Sequence, residues 1–131
     1  MGHRVKYLLD SHVVLWWLEN DPALSSRALR LISSGENEIF ISTVTAWELA
    51  IKNHSGKLEI EKLLDGLESK LIEEGFFTMT ISMRHALRAG ALPSHHKDPF
   101  DRMLIAQAQA EDLSLISNDS MFDHYGVRRI W

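Results

Sequence analysis

Four acidic residues, Asp10, Glu48, Asp101 and Asp119, stand where a chain of alternating strands and helices would carry its chemistry. Asp10 ends the run Val5-Lys6-Tyr7-Leu8-Leu9, and Asp119 follows Leu115-Ile116-Ser117-Asn118. Glu48 lies one turn into a helical segment after Ile39-Phe40-Ile41, and Asp101 is near the start of a helix opened by Asp98-Pro99-Phe100. In α/β folds such positions share one rim, beyond the carboxyl ends of the strands, where these sheets bind ligands. Two unit charges about 4 Å apart at an effective dielectric of about 20 repel by about 4 kcal/mol. Carboxylates gathered on a rim therefore raise their own pKa values or bind a cation. All-oxygen donors favour Mg2+ or Mn2+, with Ca2+ also admissible, and Mg2+ keeps positions for waters and phosphate oxygens. The chemistry indicated is that of a phosphodiester.

Each acid also has a plainer explanation. Asp10 could cap the helix that starts at Ser11 or His12. Glu48 follows Thr45 at the capping-box interval and could bond back to the Thr45 amide. It also borders the apolar stripe Val44-Trp47-Ile51, which would turn it toward the sheet. Asp98 is explained by capping, and Asp101 would then be N3, where negative charge suits the helix dipole. Yet Asp101 shares a face with Ile105 and Ala108, and a charge on a buried face needs a partner. Asp119 could cap a turn toward Phe122, with Asn118 and Asp123 as weaker neighbours. His95-His96 reads as a pair of solvent-exposed loop histidines, with approach to a phosphate or a metal as the alternative. His12 falls on the first turn of a helix. Ser11 and Ser117 set hydroxyls beside Asp10 and Asp119, within reach of ligand carboxylates or a bound water. No spacing supports a Ser-His-Asp arrangement, and no glycine-rich phosphate loop is present.

The elements that must position these groups are legible in outline. Strand-like runs fall at about 5–10, 38–42, 76–81, 113–117 and 127–131, with helical patterns between most of them. That alternation predicts a mainly parallel sheet with helices on both faces. The first helix, about 12–19, is apolar almost all round through Val13, Val14, Leu15, Trp16, Trp17 and Leu18, which predicts a partner surface on part of it. A second helix is capped by Ser25 or Ser26 and ends before Gly35. A third begins near Ser42 to Thr45 and ends at Gly56. A fourth runs from about 61 to 74 with Leu63, Leu64, Leu67, Leu71 and Ile72 on its inner face. A fifth covers about 83–89, a loop follows over 90–97, and Asp98-Pro99 opens the last helix, which runs to about Asp112.

Composition narrows the class. A chain of 131 residues is expected to form one domain over 1–131 with an ordinary core. The absence of cysteine excludes disulfides, thiolate zinc sites and cysteine nucleophiles. Met1-Gly2-His3-Arg4 leads directly into a strand-like run without the apolar core of a signal peptide. No apolar stretch is long enough to span a bilayer, so no membrane association and a cytoplasmic location are expected. The net charge of −4 opposes non-specific nucleic-acid binding, but the excess of four acids equals the size of the proposed acidic set. Residues 84–102 lean basic through Arg84, Arg88, Lys97 and Arg102; the last two are candidates for contact with a nucleic-acid backbone.

Four segments together resemble the PIN-domain family, in particular the VapC-like toxin ribonucleases of toxin–antitoxin pairs. They are Leu8-Leu9-Asp10-Ser11-His12-Val13-Val14-Leu15-Trp16, Ile41 to Leu49 with Trp47-Glu48, His96 to Ala108 with Asp98-Pro99-Phe100-Asp101-Arg102, and Leu115-Ile116-Ser117-Asn118-Asp119. The resemblance implies a three-layer α/β/α sandwich around a mainly parallel sheet and a Mg2+- or Mn2+-dependent endoribonuclease. It implies metal-ligand and catalytic roles for Asp10, Glu48, Asp101 and Asp119, a VapB-like antitoxin laid across the protein, and a homodimer. The family commonly has threonine where this chain has Ser11 and Ser117; a hydroxyl is kept at both. Two other readings are weaker. A phosphatase with an aspartyl nucleophile would need a second aspartate two residues after Asp10, where His12 stands. A catalytically inactive PIN-like module acting through protein binding would have no need of the complete acid set.

Overall fold

The computed structural model describes residues 4–131; Met1-Gly2-His3, part of the segment read above as lacking a leader, lie outside them. The elements run β1 (Lys6–Leu9), α1 (Ser11–Glu19), α2 (Ser26–Ser33), β2 (Glu38–Ser42), α3 (Thr43–His54), α4 (Glu61–Leu64), α5 (Leu67–Glu73), β3 (Phe77–Met79), α6 (Met83–Ala91), α7 (Pro99–Glu111), β4 (Ser114–Ile116), a 3-10 turn (Ser120–Tyr125) and β5 (Arg129–Ile130). The five strands form one sheet in the order β3-β2-β1-β4-β5, and every pairing is parallel. All carboxyl ends therefore point to one rim, as the alternation of elements predicts.

β1 is central and buried on both faces, which its apolar run Tyr7-Leu8-Leu9 allows. Successive side chains of a strand face opposite ways. Tyr7 and Leu9 accordingly join Val13, Val14, Ala28, Ile32 and Leu71 on one side of the sheet, with Ile39, Ile41 and Ile116 from the neighbouring strands. Leu8 joins Val44, Leu104, Ile105, Ala108 and Leu115 on the other. The result is a three-layer α/β/α arrangement with α1, α2 and α5 on one face and α3 and α7 on the other.

Several boundaries differ from the expectations, each for a local reason. The single helix over 61–74 is two helices, α4 and α5, broken where Gly66 takes a left-handed φ of 71°. Ile72, assigned to its inner face, is exposed. α6 continues through Gly90 to Ala91, so the loop after it is shorter. The apolar stripe assigned to α3 is rotated: Trp47 and Ile51 face solvent, while Val44, Thr45, Glu48 and Leu49 face inward. α1 is covered in part by the chain itself, since Trp16 packs on Trp131 and Trp17 on Phe76, each pair 5.8 Å between ring centres.

Candidate metal centre

Asp10 stands at the N-cap position of α1, yet its side chain makes no capping hydrogen bond. It is 3% exposed, and its Oδ2 accepts a 2.7 Å hydrogen bond from the Ser117 hydroxyl at the end of β4. Burial pushes its carboxyl above the ordinary range; the Ser117 bond and nearby His12 pull it back, and the Glu48 charge adds to the rise. Capping does not explain this residue. Ser117 has a second role, accepting the Asp119 backbone N–H at 3.0 Å. Of the two hydroxyls set beside the acids, Ser117 thus bonds the Asp10 carboxylate. At Ser11 the partner is instead Thr45, Oγ to Oγ1 at 3.0 Å, a buried tie between α1 and α3.

Glu48 is the deepest departure from surface behaviour. α3 is capped by Ser42, whose hydroxyl accepts from Val44 N–H, so Thr45 is not the N-cap and Glu48 does not close a capping box with it. Glu48 is 3% exposed, and its Oε2 accepts from Lys52 Nζ at 2.6 Å, one helical turn on. Its Oε1 is buried with no hydrogen-bond partner among the described residues. Leaving a buried acceptor unmatched costs about 1–3 kcal/mol, and more when charged, so such an atom calls for an explanation.

Asp101 sits at N3 of α7, behind Asp98, whose Oδ1 accepts from the Phe100 and Asp101 amides as a capping residue should. Burial pushes the Asp101 carboxyl up to about 6; a hydrogen bond from His96 opposes this, and the charges of Asp98 and Asp10 add to it. His96 Nε2 lies 2.6 Å from Asp101 Oδ2. His96 is half-buried and structurally engaged, which corrects its reading as a solvent-exposed loop residue. His95 does remain exposed, stacked on His124 with ring centres 5.6 Å apart. The loop carrying both is pinned by Tyr125, whose hydroxyl accepts from the His96 amide and donates to the Pro93 carbonyl.

Asp119 is the acid for which capping holds: its Oδ1 accepts from Met121 N–H and starts the 3-10 turn. Its tie to Asp10 runs through Ser117. Asp10, Glu48 and Asp101 thus lie close enough for their like charges to act on one another, Glu48 on Asp10 and Asp10 on Asp101, with Asp119 attached at the edge through Ser117. Among the described residues, the one group of three or more His, Asp and Glu with ligand atoms all within 4.8 Å of one another is His96, Asp98 and Asp101. Two of its contacts are already used, Asp98 in the cap and His96 on Asp101. The orphaned oxygen of Glu48 and the buried carboxyl of Asp10 describe the wider site better. An all-carboxylate set with one unmatched buried oxygen fits a hard divalent cation.

Lys52 is the functional candidate that the sequence reading missed; its only signal was the i, i+4 spacing from Glu48. Beside this pair lies a cavity of about 220 Å3 lined by Ser11, His12, Glu48, Lys52 and Lys57 among others. Arg102, a candidate for backbone contact, instead donates to the carbonyls of Ala89, Leu92, Pro93 and His96. Arg84 and Arg88 likewise bond across to Ala110 and Gln109 of α7. The basic lean of 84–102 is therefore largely spent on holding α6, the loop and α7 together.

Comparison with known proteins gives a consistent picture. The family described as PIN domain matches residues 7–127. Ribonuclease VapC22 of Mycobacterium tuberculosis is 31% identical over 114 residues, which cover 86% of this chain and 85% of that protein. The structure of VapBC2 from Rickettsia felis, bound to a DNA fragment from their promoter, superposes with a TM-score of 0.72 at 16% identity, covering 96% of this chain and 98% of that one. A toxin–antitoxin complex from Klebsiella pneumoniae superposes with a TM-score of 0.60 at 19% identity, covering 87% of each chain. At those identities the structural matches speak for the fold.

Proposed function

Because the chain belongs to the PIN domain family, we propose that it is a metal-dependent endoribonuclease and the toxin of a toxin–antitoxin pair. The observation that carries this reading is the buried acid set on the sheet rim, with Glu48 Oε1 unmatched among hydrogen-bond donors. The curated relative is a ribonuclease by name, and the Klebsiella pneumoniae structure is a toxin–antitoxin complex, which supports a VapB-like antitoxin as partner. We read residues 1–131 as one PIN-like domain that acts in the cytoplasm and pairs as a homodimer. Among the described residues, no helix is long and apolar enough to cross a membrane.

Asp10, Glu48 and Asp101 would hold the ion, with Asp119 bound directly or through water, and Mg2+ or Mn2+ suits these donors. A bound ion of this kind lowers the pKa of water and offsets negative charge on the phosphate. The protein's part is positional. Ser117 orients Asp10 through Oδ2, and Lys52 holds Glu48 by Oε2, leaving Oε1 as the oxygen that would face the ion or a water bound to it. His96 orients Asp101 from outside. Incubation of the purified protein with total RNA, with Mg2+ or Mn2+ and with chelator, tests the reading. Cleavage that needs the ion and disappears in Asp10→Asn is expected. Uncut RNA with metal present, while the antitoxin still binds, would leave only a protein-binding module.

A further inference from the structure

Trp47 stands apart from the other tryptophans. Trp16, Trp17 and Trp131 are half-buried and packed against the core, whereas Trp47 is 59% exposed. Leaving so large an apolar ring in water forgoes favourable burial. The ring is nonetheless held in place, edge-on to Phe100 with ring centres 5.2 Å apart in a T-shaped contact. Trp47 immediately precedes Glu48 on α3, and Phe100 immediately precedes Asp101 on α7. The aromatic pair therefore bridges the two helices that carry these acids, with the indole on the solvent side.

We propose that Trp47, backed by Phe100, is the stacking platform for an unpaired RNA base beside the phosphate to be cut. This rests on the ribonuclease reading and adds to it the form of RNA recognised. A phosphate seated against the acidic rim places its flanking bases next to this ring. Every base has a face that an aromatic side chain can stack on, and single-stranded RNA is the form that presents such faces. The usual alternative, a basic groove tracking the backbone, is thinly supplied here: Arg102 is committed to four backbone carbonyls and Lys52 to Glu48, which leaves Lys57 on the cavity beside that pair. Stacking needs no charge. A Trp ring fixed against α7 also loses little freedom when a base docks on it.

The test compares wild type, Trp47→Ala and Trp47→Phe in two measurements. In the first, a labelled single-stranded RNA oligonucleotide is titrated in chelator at low salt, following its anisotropy and the indole emission. Wild-type emission should fall on binding, and Trp47→Phe should lose that change while keeping most of the affinity. Trp47→Ala should bind about tenfold more weakly, within the range for loss of one base–aromatic stack. In the second, steady-state cleavage with Mg2+ or Mn2+ should show the loss for Trp47→Ala in KM rather than kcat, largely restored in Trp47→Phe. Duplex RNA should be indifferent to the substitution. Equal RNA affinity of Trp47→Ala and wild type overturns the proposal, as does a Trp47→Phe defect equal to that of Trp47→Ala. Normal RNA handling by Trp47→Ala with loss of antitoxin binding also overturns it and makes the ring a protein contact. RNA that binds through Trp47 but is never cut would instead sink the ribonuclease reading and leave the platform standing.

Discussion

Lys52 Nζ lies 2.6 Å from Glu48 Oε2, and the other oxygen of the same carboxylate has no hydrogen-bond partner among the described residues. The ammonium is 30% exposed and the carboxylate 3%, so one turn of α3 carries a cation from solvent down to a buried acid. Half of the carboxylate is satisfied by the chain, and half is left for something else.

Replacing Lys52 with Met should therefore destabilise the metal-free protein by about 1–2 kcal/mol, the cost of a buried unpaired charge discounted for the lysine's contact with water. Adding Glu48→Gln to that variant should recover most of the loss. Urea unfolding of the two single variants and the double variant in chelator checks this. Additive losses would mean the pair does not interact.

Ser117 ties two of the acids together, donating to Asp10 Oδ2 and accepting from the Asp119 amide. Ser117→Ala should cost about 1–3 kcal/mol, because Asp10 is left short of a bond in a buried place and the Asp119 amide in a half-buried one. It should also weaken binding of Mn2+, since Asp10 loses its orientation. Calorimetric titration with Mn2+, beside a thermal melt, separates the two effects.

Asp119 admits a clean separation of capping from metal binding. Asn caps about as well as Asp, so Asp119→Asn should leave stability within a few tenths of a kcal/mol, while Asp119→Ala should cost about 1 kcal/mol. If the carboxylate also serves the ion, Asp119→Asn should bind Mn2+ less tightly despite its intact fold. Unchanged affinity would reduce Asp119 to a cap.

The Asp101 carboxyl titrates at about 6 in the folded protein against 3.8 when unperturbed. The folded state therefore keeps a proton that the unfolded chain gives up. The stability this contributes is fully present below about pH 4 and is lost as pH rises through about 6. An ion needs the ionised carboxylate, so its affinity should run the other way and fall steeply below about pH 6. Mn2+ titrations at about pH 5 and about pH 7.5 check the sign; equal affinities at the two would remove Asp101 from the site.

Much of this molecule was legible in its sequence. The strands announce themselves by short apolar runs, and the last helix by Asp98-Pro99, because these signals are local: side-chain shape, a missing proline N–H, a cap within three residues. The parallel sheet and the rim position of Asp10, Glu48, Asp101 and Asp119 follow from the alternation of such elements. What needed the tertiary structure is what each acid does on that rim. Asp10 and Asp119 both look like caps along the chain, yet only Asp119 caps, because Ser117, 107 residues away from Asp10, claims the Asp10 carboxylate. The inward face of α3 could not be read from its apolar residues, since Trp47 and Ile51 point to solvent while Thr45 and Glu48 are buried. Burial and hydrogen bonding depend on which surfaces the fold presses together, and that pairing joins residues far apart in sequence. Which residues carry charge, and along which elements they lie, is written locally in the chain. Only the packed sheet and helices decided that Glu48 would be buried with one oxygen held by Lys52 and the other left open.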